Sequence, residues 1–192
     1  MKLKKTIVIS ILLTEILLSC TKEYTPKPHG YFRITFPEKS YRLLDMELPY
    51  RFDVAAYSKA VPDSGRFSEP GWINIVTPAN KAELHISYAA IKGNLSEHLE
   101  NSRKFVYKHT IKADAINEQV YIDRKNKVYG TIYYIEGNAA SPMQFHLTDS
   151  TRNFLRGALY IRELPNIDSI RPVIHFLKPD VIRLIETTRW RN

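Results

Sequence analysis

Residues 119–161 read QVYIDRKNKVYGTIYYIEGNAASPMQFHLTDSTRNFLRGALYI. Four apolar runs stand out in it: Gln119 to Asp123, Lys127 to Glu136, Ser141 to Leu147 and Phe154 to Ile161. The links between them are short and carry turn residues: Arg124-Lys125-Asn126, Gly137-Asn138 and Thr148-Asp149-Ser150. Successive strands joined by links this short pair antiparallel, so the stretch predicts a meander.

Working outward, Trp72 to Val76 is a strand, Thr77 to Asn80 a turn, and Ala82 to Ala89 a second strand with Leu84, Ile86 and Tyr88 set against His85 and Ser87. Tyr31 to Phe36 and Pro49 to Tyr57 are further strand candidates, while residues 58–71, with Pro62, Gly65, Pro70 and Gly71, read as a loop. A helix starts at Asn94, with Glu97 completing a capping box, and frays near His109. Leu95, Leu99, Ser102 and Val106 mark its inner face; Glu100, Arg103, Lys104 and Lys108 mark a solvated one. A last helix runs from Asp168 to Ile185 on Val173, Ile174, Leu177, Val181, Leu184 and Ile185. Pro179 is expected to kink or split it. The fold class is therefore α+β: a single domain with an antiparallel sheet packed with two main helices. A sandwich of the PsbP/Mog1 type is the architecture it suggests, by fold-level analogy.

The N-terminal stretch has another character. Lys2, Lys4 and Lys5 precede an apolar run, Thr6 to Leu18, broken once by Glu15. Thirteen residues are too few for a spanning helix, which needs about 20, but they suit the apolar region of an export signal. Leu17-Leu18-Ser19-Cys20 is a lipobox, and Cys20 is the only cysteine in the chain. Acylation and cleavage there would make Cys20 the mature N-terminus. The expected organisation is a signal over 1–19, a lipid-anchored tether over 20–30 stiffened by Pro26 and Pro28, and a globular domain over 31–192. Removing residues 1–19 leaves 173 residues and a net charge of +6, since three lysines and one glutamate go with them. That charge suits an anionic lipid surface, where each basic residue contributes about 1 kcal/mol. An exported chain with no binding motif gives no reason to expect nucleic acid.

Chemistry is hard to find. None of the six histidines forms a pair at helical metal-site spacing, and a lone cysteine excludes a thiolate zinc site. Seven glycines contain no phosphate loop. Ser141, His146 and Asp149 are the hydrolase-like residues, but no Gly-x-Ser-x-Gly elbow surrounds them. Ser141 and His146 lie five apart, pointing to opposite faces of a strand, and Asp149 and Ser150 read as turn residues. No cofactor is expected.

Three segments carry a family resemblance. They are Tyr24 to Ile34 (YTPKPHGYFRI) with Pro37-Glu38; Val106 to Ile116 (VYKHTIKADAI); and Gly137 to Pro142 with Gln144-Phe145, Leu147 to Ser150 and Phe154 to Tyr160. In these the chain resembles the gliding-motility lipoprotein GldD family, from the lipobox to Trp190. His29 departs from it, standing where the family tends to carry arginine. The resemblance implies a non-enzymatic lipoprotein of gliding Gram-negative bacteria, needed for gliding motility and for the associated type IX secretion system, with other envelope proteins as partners. The alternative is an envelope lipoprotein binding peptidoglycan, a glycan or a small ligand. Without an aspartate at residue 21 the expected location is the outer membrane. Tyr24, Lys27, His29, Tyr31, Phe32 and Arg33 are the candidate partner contacts, because aromatic side chains so close to a lipid anchor call for a cover.

Overall fold

In the computed structural model, which describes residues 35–163 and 167–191, the alternation of the 119–161 stretch becomes four strands. They are β7 (Ala113–Asp123), β8 (Val128–Gly137), β9 (Met143–Thr148) and β10 (Asn153–Ile161). Each pairs antiparallel with the next. A second meander consists of β4 (Lys59–Pro62), β5 (Ile73–Thr77) and β6 (Ala82–Ala90). It joins the first through β6 and β10, antiparallel, with Leu155 opposite Tyr88 and Arg156 opposite Ser87. The result is a seven-stranded sheet in the order β4-β5-β6-β10-β9-β8-β7. Two small pairs flank it: β1 (Tyr41–Leu43) with β3 (Asp53–Ala55), and β2 (Tyr50–Arg51) with β11 (Arg189–Trp190).

Side-chain alternation divides the sheet into two unlike faces. Val128, Ile132, Met143, Phe145, Leu147, Leu155, Leu159, Leu84 and Ile86 point to one face. Helix α2 (Ile167–Thr187) lies on it and buries Ile170, Val173, Leu177, Val181, Leu184 and Ile185. These include five of the six positions that the sequence marks, and Ile174 is half-buried beside them. Burying a side chain of that size contributes about 1.5–3 kcal/mol, so this layer supplies most of the apolar drive. The other face carries Tyr133 and Ile135, packed with Val106 of α1 (Leu95–Tyr107). Only Ser102 and Val106 of α1 are buried, and Leu95 and Leu99 are half-buried. The expected solvated face is observed, with Lys104 and Glu100 paired at 2.8 Å.

Five expectations need correction. Residues 59–62 are an edge strand, not loop; Pro62 ends it, where a missing N–H costs least. Pro49 to Tyr57 is two short strands, and residues 35–40 form no strand: Phe36 stacks on Phe176 of α2 at 4.2 Å. Asn94 makes no side-chain cap on α1. Its Oδ1 instead accepts from the amide of Lys92, so the capping box is absent. Helix α2 runs unbroken through both Pro172 and Pro179. The proline at 179 removes the donor for the carbonyl of residue 175, and the next carbonyl, that of Phe176, takes a bond from Lys39 at 2.6 Å.

Candidate functional site

The polar groups of the sheet gather on the α1 side. Strand β9 is buried along its whole length, and on this side it presents Gln144, His146 and Thr148. Strand β10 adds Phe154 and Arg156 there, and β6 adds His85 and Ser87. His146 is packed among rings, with Phe154 stacked at 5.8 Å and Tyr133 at 6.0 Å. Burial holds its imidazole down to about 4, against a weaker upward pull from Glu118. His98 of α1 stacks on the same Phe154 at 5.1 Å.

Beside α1 the sheet is uncovered, and a cleft of about 470 Å³ opens there. Its floor is Asn74, His85, Ser87 and Arg156; α1 supplies His98, Asn101, Ser102 and Phe105; Trp72 forms the far wall. Asp63 and Glu69 stand at its outer end. Trp72 is fixed by its Nε1, which donates to the carbonyl of Tyr88 at 2.8 Å. Asp63 is fixed by Asn74, whose Nδ2 donates to it at 2.9 Å.

The hydrolase-like residues do not assemble. Ser141 precedes β9 rather than lying on it, and its Oγ donates to the carbonyl of Met143 at 3.4 Å. The Nδ1 of His146 has no hydrogen-bond partner among the described residues. Asp149 is spent on its own turn: one oxygen accepts from the amides of Thr151, Arg152 and Asn153, the other from Asn153 Nδ2. Burial raises its pKa, but those hydrogen bonds outweigh burial and bring it down to about 2. The turn reading of Asp149 is thus the observed one, and no Asp-His-Ser relay links the three residues. Among the described residues no three His, Asp or Glu side chains converge as a metal site would need.

Cys20, Tyr24, Lys27, His29, Tyr31, Phe32 and Arg33 lie outside the described residues. No helix among the described residues is long and apolar enough to cross a membrane. The cleft residues are the ones that sequence reasoning missed. Alternation marks Arg156 and Ser87 as lying on one face of their strands, but only the β6–β10 pairing makes them neighbours.

A family model described as gliding motility lipoprotein GldD matches residues 21–190. No curated protein sequence matches. Among solved structures, the solution structure of cyanobacterial PsbP (CyanoP) from Synechocystis sp. PCC 6803 is similar. Its TM-score is 0.51 at 12% identity, over 86% of this chain and all of that one. At that identity the likeness concerns the fold alone, and it agrees with the sandwich suggested by the sequence.

Proposed function

The chain belongs to the gliding motility lipoprotein GldD family, and from that premise we propose that it is a non-enzymatic component of a gliding machine and of the associated type IX secretion system. The observation that carries this reading is the extent of the match, which begins one residue after Cys20 and spans the whole folded region. Cys20 carries the acyl chains, and more than one chain gives firm anchoring where a single one gives only marginal binding. The outer membrane is the proposed location. Residues 20–30 serve as tether, and Tyr24, Lys27, His29, Tyr31, Phe32 and Arg33 meet partner proteins of the envelope. The test is labelled palmitate with wild type and Cys20→Ser, scored together with gliding and secretion. Loss of label and of both activities is expected; label retained in the mutant, or normal gliding without it, overturns the reading.

A second reading is an envelope lipoprotein that holds peptidoglycan, a glycan or a small ligand. The cleft beside α1 is the observation in its favour.

A further inference from the structure

Arg156 is a half-buried cation in the cleft floor with no carboxylate beside it among the described residues. Its Nη2 donates to Gln144 Oε1 at 2.7 Å, and its guanidinium lies 4.7 Å from the ring centre of Phe105. Those are neutral neighbours. Burial holds the guanidinium below its ordinary pKa, and contact with Tyr160 offsets this only in part. A charge taken from water without a counter-ion is costly, and such groups are normally paired.

Unpartnered polar atoms accumulate around the same residue. Five buried side-chain polar atoms lack a hydrogen bond among the described residues: Asn80 Oδ1, His98 Nε2, Gln144 Nε2, His146 Nδ1 and Arg156 Nε. Four of them lie on the α1 side of the sheet, and two of those, His98 and Arg156, line the cleft. Gln144 Nε2 belongs to the amide whose oxygen Arg156 already holds. Buried polar groups are nearly always satisfied, so a cluster of orphans around one unpaired cation marks a place for an anionic group.

The far end has the opposite charge. Asp63 pairs with Trp72 at the β4–β5 edge, its amide donating to the carbonyl of Trp72. Continuing the registers, Trp72 faces Ser87 and Ser87 faces Arg156. Asp63 and Arg156 therefore stand three strands apart in one row, about 14 Å at a strand spacing of about 4.8 Å. Exposed Glu69 lies at the same end as Asp63. Among the described residues that line the cleft, an inorganic phosphate or a polyanion meets one Lys or Arg side chain and two carboxylates repelling its other end. A ligand with one carboxylate and one cationic end fits both, and three extended residues at about 3.3–3.6 Å each, with a charge-assisted contact of about 2.8 Å at either end, cover that span. The cleft volume of about 470 Å³ lies within the range of small-ligand sites.

We propose that the cleft beside α1 binds a short peptide, its free C-terminal carboxylate on Arg156 and its ammonium end toward Asp63 and Glu69. This deepens the second reading above and does not depend on the gliding role. Phe105 covers the guanidinium, and Trp72 flanks the peptide.

Titration calorimetry of the full-length chain in detergent tests it, with tri-alanine as probe. Tri-alanine is expected to bind. Its C-terminal amide should bind about 10- to 100-fold more weakly, the loss expected when a charge-assisted pair is removed. N-acetylation, or Asp63→Asn with the unmodified peptide, should each weaken binding about 3- to 10-fold, the smaller effect of an exposed pair. Arg156→Gln should abolish binding while the unliganded protein melts no lower than wild type, because the unpaired cation is gone. The amide and acetyl arms need no variant, so they decide the matter even if Arg156→Gln misfolds. Equal binding of peptide and amide, tighter binding of inorganic phosphate, or no heat with tri-alanine overturns the proposal. A silent tri-alanine titration with binding of an N-acetylglucosamine tetramer overturns the peptide but leaves the second reading standing.

Discussion

The ammonium of Lys39 lies 2.7 Å from a carboxylate oxygen of Asp180, tying the start of the described chain to the helix turn that Pro179 weakens. Tyr41 and Tyr57 also donate to that carboxylate, Tyr41 at 3.0 Å. Lys39 stands over the Phe176 ring at 3.5 Å from its centre. With the Asp180 side chain only 12% exposed, removing it strands a cation and two hydroxyls. Asp180→Ala is expected to cost about 2–4 kcal/mol. The double variant Lys39→Met, Asp180→Leu should recover much of that loss, since an apolar pair can replace a buried ion pair. Denaturant melts of wild type, Asp180→Ala, Lys39→Met, Asp180→Leu and the double variant check this; strictly additive losses from Lys39→Met and Asp180→Leu would show that the pair is not coupled.

Two glycines allow the central strands their close packing. A Cβ at Gly130 would stand 1.9 Å from the backbone carbonyl oxygen of His146, and one at Gly157 would stand 2.2 Å from the Phe145 ring. Ring atoms can shift by turning χ angles, whereas the β8–β9 ladder cannot yield without losing hydrogen bonds. Gly157→Ala should cost about 1–3 kcal/mol, as overpacking does, and Gly130→Ala more. Equal or reversed losses in denaturant melts would contradict the assignment of a rigid contact at Gly130.

The depressed pKa of His146 links folding to pH. In the unfolded chain the imidazole titrates near 6.5, while in the fold it does so at about 4. Between those values the unfolded state binds more protons, so stability rises with pH through this window and is lost as pH falls. Full separation of the two pKa values corresponds to about 3 kcal/mol. His146→Leu removes this contribution, so wild type should lose more stability than the variant between pH 7 and pH 4. Parallel pH profiles of the two proteins would refute it.

The meander was legible because its links are short and its apolar alternation holds over four runs, and alternation depends only on local geometry. The inner face of α2 was legible for the same reason at helical period. What the sequence concealed depends on distant partners. Helix α2 continues through Pro179 where Lys39, 141 residues away, meets Asp180 and the Phe176 carbonyl. Strand β4 is short and proline-ended, and it exists because β5 offers it a ladder. Asn94 and Glu97 have the spacing of a capping box, yet Lys92 competes for the same side-chain oxygen. The cleft was invisible because β6 and β10, which carry Ser87 and Arg156, are neighbours in the sheet although β7, β8 and β9 lie between them in the chain, while Trp72 and Asp63 stand just beyond the ends of β5 and β4.

The last expectation concerns the tether. A segment acting only as a spacer needs length and solubility. Residues 24–33 instead contain Tyr24, Tyr31 and Phe32, with Lys27 and His29 between them and Arg33 next after Phe32. Each such ring can bury about 150–250 Å², and leaving several bare beside a membrane is unfavourable. Pro26 and Pro28 reduce the ordering entropy that docking would otherwise cost. Replacing residues 24–30 with a Gly/Ser linker of equal length should therefore leave anchoring and the melting of the folded region unchanged while impairing gliding or secretion. Immunoblotted membrane fractions fix the expression level, and colony spreading reads the function. Wild-type spreading at wild-type abundance would show that residues 24–30 are a spacer, leaving Tyr31, Phe32 and Arg33 as the remaining contacts to test.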